Sequence, residues 1–158
     1  AKECYDLVES LGVKDVEFTG RVNVRDYLGK MDFTLLTSIS EGQPLTILES
    51  YAAHKPVITT DVGNCRELIY GNEDGFGDAG ILTHIMNIEE IAHAMVNMSI
   101  NEENRKRMGE AGYKRVNAFY RIDQMKDVYR EIYKGFSDSQ NLSWTEEPFK
   151  ISVHEKTM

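Results

Sequence analysis

The sequence predicts an α/β fold with a doubly wound parallel sheet, and three observations carry that expectation. Short apolar, β-prone runs recur along the chain: Phe33 to Thr37, Pro56 to Thr60, and Gly80-Ile81-Leu82-Thr83. Segments with apolar residues at helical spacing lie between and after them. The steps from strand to helix are rich in Gly, Pro, Ser, Asn and Asp, the residues of turns. Strands that alternate with helices imply parallel pairing through crossover connections.

The elements follow in order. Tyr5, Leu7, Val8 and Leu11 set a helix over Lys2 to Ser10, closed by Gly12. Val16-Glu17-Phe18 predicts a short strand ending at Gly20, and Asp26 to Met31 a short helix leading into the strand at Phe33 to Thr37. Ser38 to Pro44 is turn chemistry, and Leu45 to His54 holds mostly helix-forming residues. Pro44 suits the first helical position, where a missing N–H costs nothing. Pro56 to Thr60 reads as a buried strand, Cys65 to Tyr70 as a helical turn or two, and Gly71 to Gly77 as a loop. Gly80 to Thr83 fits a last strand. Ile88, Ile91, Ala92 and Met95 fall at helical spacing, as do Met125, Val128, Tyr129 and Ile132.

Several side chains carry their own expectations. Tyr113, Phe119 and Tyr120 are expected to pack the end of a helix hairpin, and Met86, Met95, Met98 and Met108 to fill the core. Arg105-Lys106-Arg107 and Lys114-Arg115 interleave with acids and are expected on solvated faces. Residues 1–136 form the expected folded unit. Residues 137–158 show no clear period and read as a tail, either disordered or docking on a neighbouring domain through Trp144 and Phe149.

At 158 residues one domain with a real core is expected. Eighteen basic against 26 acidic residues give a net charge of −8, which argues against nucleic acid or an anionic membrane as a partner of the whole surface. No apolar run approaches the roughly 20 residues needed to cross a bilayer, and no secretory signal precedes the first helix. Cys4 and Cys65 are isolated, fit no metal spacing and are expected as reduced thiols, which favours a cytoplasmic location. The sequence opens on Ala1 directly in a helical pattern, so an excerpt of a longer protein is expected.

Glu41 and Glu49, with Gly42 to Leu48 between them, carry the most chemistry. Glu41 is expected in the loop at the carboxyl end of a parallel strand, where open α/β sheets bind ligands. Glu49 lies about 6 Å along the helix axis from Leu45, at a rise of about 1.5 Å per residue. Between them the backbone N–H groups of Gln43, Leu45 and Thr46 make a ready site for a phosphate. One carboxylate before an anion-binding helix start and one within the helix suit a ligand with polar ends and a phosphate middle.

This spacing resembles the E-x7-E signature of retaining glycosyltransferases of family 4, built on the GT-B fold. Val16-Glu17-Phe18-Thr19-Gly20-Arg21-Val22 is similar to that family's strand-and-glycine step. The stretch from Ser38 to Glu49 is similar to its donor loop, and Lys55 to Gly63 to its next strand and loop. The wording around Ser38-Ile39-Ser40-Glu41 and Asn64-Cys65-Arg66-Glu67-Leu68 is closest to the subgroup of the pel exopolysaccharide glycosyltransferase. The resemblance covers about Val16 to Tyr120.

The resemblance implies the carboxy-terminal half of a GT-B fold, a Rossmann-like sheet with its first strands missing. Four strands are visible, two fewer than the family's complete donor domain. It implies that Glu41 meets hydroxyls of the donor sugar as the catalytic carboxylate and that Glu49 accepts hydrogen bonds from the ribose. Gly42 lets the backbone approach the ligand, Gln43, Pro44 and Leu45 continue the donor loop, and Thr46 and Ile47 act through their N–H groups. Gly20 and Arg21 fall near the nucleotide base. Each residue also has a plainer reading: Glu41 as a helix-capping acid, Glu49 as a solvated helical acid, Arg21 as a surface arginine, and Asp61-Val62-Gly63-Asn64 as a tight turn.

The function so implied is retaining transfer of a hexose from a nucleotide diphosphate sugar, UDP-linked, to a glycan acceptor in exopolysaccharide or related synthesis. No cofactor and no metal are expected, since Asp32 and Asp61 have no partner at metal-ligand spacing. The implied partners are the donor, the acceptor and an N-terminal domain of the same chain, with a peripheral membrane complex open for the whole protein. The family's basic Arg and Lys pair would lie before Ala1, so the fragment alone is expected to be inactive. Two alternatives remain: an epimerase-like protein of the same double fold acting on sugar nucleotides, and a non-catalytic flavodoxin-like binding module.

Overall fold

In the computed structural model, which describes residues 2–140, three strands form a parallel sheet in the order β1-β2-β3. The strands are β1 (Thr34–Leu36), β2 (Val57–Thr60) and β3 (Gly80–Thr83). Thr34 pairs with Val57 and Val57 with Gly80, so the carboxyl ends of all three lie along one edge. Around them run α1 (Lys2–Ser10), α2 (Arg25–Leu28), α3 (Leu45–Ala52), α4 (Cys65–Tyr70), α5 (Ile88–Ile100), α6 (Glu102–Phe119) and α7 (Ile122–Gln140).

The sheet is covered on both faces, as its central strand dictates. All of Val57-Ile58-Thr59-Thr60 is buried, the pattern of a parallel strand between two helical layers. Because successive side chains alternate, Val57 joins one core with Ile47, Tyr51, Leu68 and Ile69. Ile58 joins another with Ala94 and Met98 of α5. The polar members of β2 and β3 are satisfied internally: Thr60 Oγ1 donates to Ser38 O, and Thr83 Oγ1 donates to Thr59 O at 3.3 Å.

Helix α6 is polar in sequence yet lies close along α3, and its glycines allow this. A Cβ on Gly109 would stand 2.2 Å from His54 O, and one on Gly112 2.4 Å from the Tyr51 ring. Tyr51 is fully buried and donates its hydroxyl to Leu68 O at 3.0 Å. Burial pushes its phenol well above the usual range.

Arg115 of α6 is the largest buried side chain and ties three segments together. Its guanidinium donates to both Asp74 carboxylate oxygens, at 2.6 and 3.1 Å. It also donates to Leu68 O and Ile69 O in the last turn of α4, at 2.9 and 3.0 Å, and to Gly77 O at 2.7 Å. The pair is almost wholly shielded, with side-chain exposures of 2% for Arg115 and 4% for Asp74. A cation on the last carbonyls of α4 also complements that helix's dipole.

Several expectations need correction. Arg115 is not on a solvated face, because its acidic partner lies 41 residues away in sequence and approaches only on folding. Arg105 likewise turns inward to donate to Met98 O and Ser99 O at 2.7 and 2.6 Å. Val16-Glu17-Phe18 is irregular rather than a strand, since among the described residues no neighbour offers it a ladder. Pro44 is the N-cap of α3 rather than its first helical residue: its φ of −72° suits the ring, but ψ of 114° is extended. Met86 is 80% exposed in a turn of positive φ and Met95 is 40% exposed, so only Met98 and the half-buried Met108 act as core. Phe119 is 57% exposed, and Tyr113 stacks on His54 at 3.7 Å. Helix α7 runs on through Gln140, across the expected boundary at 137, and the tail expectation for 141–158, with Trp144 and Phe149, lies outside the described residues.

Candidate functional site

The carboxyl end of β1 delivers the chain into the Ser38–Pro44 loop, and neighbouring elements hold that loop by its backbone. Thr60 Oγ1 at the end of β2 donates to Ser38 O, and Asn64 N donates to Gly42 O at 2.9 Å. Gly63, at φ +50°, lies against the Glu41 carbonyl, leaving 2.0 Å for any Cβ. The loop is thus laced to the turn after β2. Within it, Ser38 Oγ donates to Glu41 Oε1 at 2.6 Å, so the half-buried carboxylate is oriented before any ligand arrives.

Helix α3 begins where the loop ends, and its geometry divides its side chains cleanly. Ile47, Ser50 and Tyr51 face the core. Ser50 Oγ bonds Thr46 O and Thr34 Oγ1, both at 2.8 Å, which fixes the helix on β1. Thr46 and Glu49 therefore face outward with the exposed Leu45 and Gln43. The Glu49 carboxylate makes no hydrogen bond or ion pair among the described residues. No acid stands in the first turn and the Pro44 cap supplies no side-chain bond. The expectation that Thr46 and Ile47 both offer N–H groups needs correction: Ile47 N donates to Pro44 O at 3.2 Å, while the N–H groups of Leu45 and Thr46 have no partner among the described residues. Two outward donors at the positive end of a helix, with a carboxylate on either side, suit a ligand carrying anionic and hydroxyl groups.

Gly42 is exposed, and a Cβ there would meet nothing within 4 Å, so no neighbour in the fold requires glycine at this position. Gly20, at φ +64°, and Arg21 lie in the exposed segment before α2. Among the described residues no hydrogen bond or ion pair joins either to the Ser38–Glu49 segment. No group of three or more His, Cys, Asp and Glu side chains in metal-binding proximity occurs among the described residues.

The structure adds residues that the spacing argument passed over. Asp61 and Arg66 form an ion pair across the turn after β2. Behind that turn is a cleft of about 340 Å³ whose walls include Glu67, Asn72, Phe119 and Tyr120. Burial, and then the Glu67 charge, raise the pKa of the Tyr120 phenol.

With this geometry established, comparison with known proteins is decisive. The profile of the family described as "Glycosyl transferases group 1" matches residues 1–115. The chain belongs to that family. A glycosyltransferase of Methanocaldococcus jannaschii is 30% identical over 141 residues, covering 85% of this chain and 38% of that protein. N-acetyl-alpha-D-glucosaminyl L-malate synthase of Bacillus anthracis is 32% identical over 129 residues, covering 80% of this chain and 32% of that one. The chain therefore spans about a third of the length of these group 1 relatives. HepE of Anabaena, solved in complex with UDP, superimposes with a TM-score of 0.75 at 20% identity, over 85% of this chain and 36% of its own. That likeness shows that the parallel sheet and its helices share a fold with the matching part of HepE. Among the described residues no helix is long and apolar enough to cross a membrane.

Proposed function

We propose that this chain is the donor-binding half of a retaining glycosyltransferase, transferring a hexose from a UDP-linked sugar to a glycan acceptor. The observation that carries the reading is the arrangement of Glu41 and Glu49 around the start of α3, with the Leu45 and Thr46 N–H groups open between them. Glu41, held by Ser38 at 2.6 Å, meets the hydroxyls of the sugar. Glu49, outward on α3, accepts from the vicinal ribose hydroxyls, for which a carboxylate has two oxygens. The helix-start donors face the diphosphate as its negative charge grows on departure, so they stabilise the transition state more than the ground state. The sugar then passes through an oxocarbenium-like state.

Support comes from the UDP bound to HepE and from the N-acetyl-glucosaminyl malate that names the Bacillus relative, a synthase. The narrower likeness to the pel subgroup, at Ser38 to Glu41 and Asn64 to Leu68, favours exopolysaccharide or related glycan synthesis. In this reading Gly20 and Arg21 approach the base, and an acceptor-binding domain of the same polypeptide supplies the other wall of the cleft. A cytoplasmic location accords with Cys4 and Cys65 as free thiols. The test is donor consumption by the full-length protein with UDP-hexoses, product anomer assigned by NMR. An inverted product, or no turnover with any nucleotide sugar, would refute the reading.

A further inference from the structure

Gly63 and Asn64 are the part of the turn after β2 that touches the Ser38–Pro44 loop. Gly63 lies against the Glu41 carbonyl, and Asn64 N donates to Gly42 O at 2.9 Å. They stand between two side chains that are bound to each other: the Arg66 guanidinium donates to the Asp61 carboxylate. Each end of that pair is fixed to a different layer. Asp61 follows β2, and its N–H donates to Thr83 O of β3 at 2.8 Å. Arg66 lies in the first turn of α4, with its guanidinium over the Tyr70 ring at 5.9 Å. Asn64 is the N-cap of α4 but makes no side-chain cap bond, so the helix start lacks its usual side-chain anchor. The ion pair spans that place, from sheet to helix.

We infer that Asp61 and Arg66 are positioning residues for Glu41: their ion pair braces the turn whose backbone sets where the Ser38–Pro44 loop stands. The kinetic part of this inference rests on the proposed function; the structural part does not. Exposed ion pairs contribute little to global stability, and the side-chain exposures here are 34% for Asp61 and 63% for Arg66. The effect of the pair is therefore local. Val62 N on Thr60 O and Cys65 N on Val62 O, both at 3.0 Å, are bonds within the turn and its flanks, and the Thr59 hydroxyl reaches Cys65 Sγ only at 3.5 Å. Without the ion pair the start of α4 is free to shift from the end of β2, and Gly63 and Asn64 move with it. Glu41, pressed by one and tethered through Gly42 by the other, then loses its fixed position. A misplacement of about 1 Å at a reacting group can cost about a hundredfold in rate, so a small shift shows in turnover before it shows in stability.

The test uses the full-length protein, with Arg66→Gln, Asp61→Asn, the double variant and Arg66→Lys, and with Arg130→Gln as a control. Arg130 forms a similarly exposed pair with Asp127 within α7, on another element. In Arg66→Gln and Asp61→Asn alike, the Asn64 amide held on Gly42 O should exchange at least about threefold faster, while the β2 amides keep their rates and the melting temperature stays within about 2 °C of wild type. With UDP-glucose as probe, kcat should fall about fivefold while KM changes less than about twofold. The double variant should cost little more than either single one, because both act through one contact. Arg66→Lys, which keeps the cation, should hold kcat within about twofold of wild type. Unchanged Asn64 exchange, additive losses, or an equal response in Arg130→Gln would overturn the inference. So would a raised KM in Arg66→Gln alone, which would make Arg66 a ligand contact instead. If exchange responds as expected but no nucleotide sugar is consumed by the wild type, the functional reading fails and the brace stands.

Discussion

Gly63 and the Glu41 carbonyl approach so closely that a Cβ on Gly63 would lie 2.0 Å from the oxygen. The turn after β2 therefore supports the catalytic candidate directly, by backbone rather than by side chain. Gly63→Ala must displace one of the two loops and also place alanine at a φ of +50°. It should destabilise the protein by about 2–4 kcal/mol, read by urea unfolding. Full retention of stability would mean that the two loops move apart freely.

The two carboxylates should separate in their kinetics. Glu41→Gln should lower kcat more than nucleotide affinity, because its contacts are with the reacting sugar. Glu49→Gln should chiefly weaken donor binding, by about 1–3 kcal/mol for hydrogen bonds to a charged acceptor. Steady-state kinetics beside UDP titration distinguish them, and an unchanged kcat in Glu41→Gln would remove it from the chemistry.

Gly42 and Gly63 are opposites although they face the same loop. Around Gly42 there is open space, so Gly42→Val should leave the melting temperature within about 2 °C while donor affinity falls at least about tenfold. The steric cause is a branched side chain on the ligand face. Thermal melting without ligand, paired with UDP titration, checks both halves; a large drop in melting temperature would make the glycine structural.

Removing Arg115 should be costly. Arg115→Met leaves Asp74 as a buried charge without its partner, at about 3–5 kcal/mol, measured by urea unfolding at neutral pH. The pH dependence has a definite sign. Its hydrogen bonds to Arg115, above all, hold the Asp74 carboxyl below its usual value. The pair therefore contributes stability that is complete above the unfolded carboxyl pKa of about 3.9 and is lost as pH falls through the folded value. Arg115→Met should flatten that acid limb; an unchanged limb would assign it to other carboxylates.

Local signals gave most of the architecture. Helix α1 and helix α4 begin and end where their spacing and glycines place them, and β3 matches residue for residue. The Glu41 to Glu49 segment was legible because strand, turn and helix start are all local chemistry. What was not legible depended on distant partners. Arg115 looks like one more helical cation until Asp74 comes beside it. Val16 to Phe18 has the composition of a strand, but composition does not supply a neighbour to pair with.

The grip of Arg115 also decides what can come loose first. Its guanidinium closes the end of α4, the Asp74 turn and α6 on one another. A fluctuation that peels α6 from the sheet must at the same moment uncap α4 and expose a carboxylate. Fraying of that edge residue by residue is therefore suppressed, and segments more than forty positions apart in sequence open as one cooperative block. Amide protection in α4 and in the Arg115 turn of α6 should then share a single opening free energy, well above that of the exposed α1.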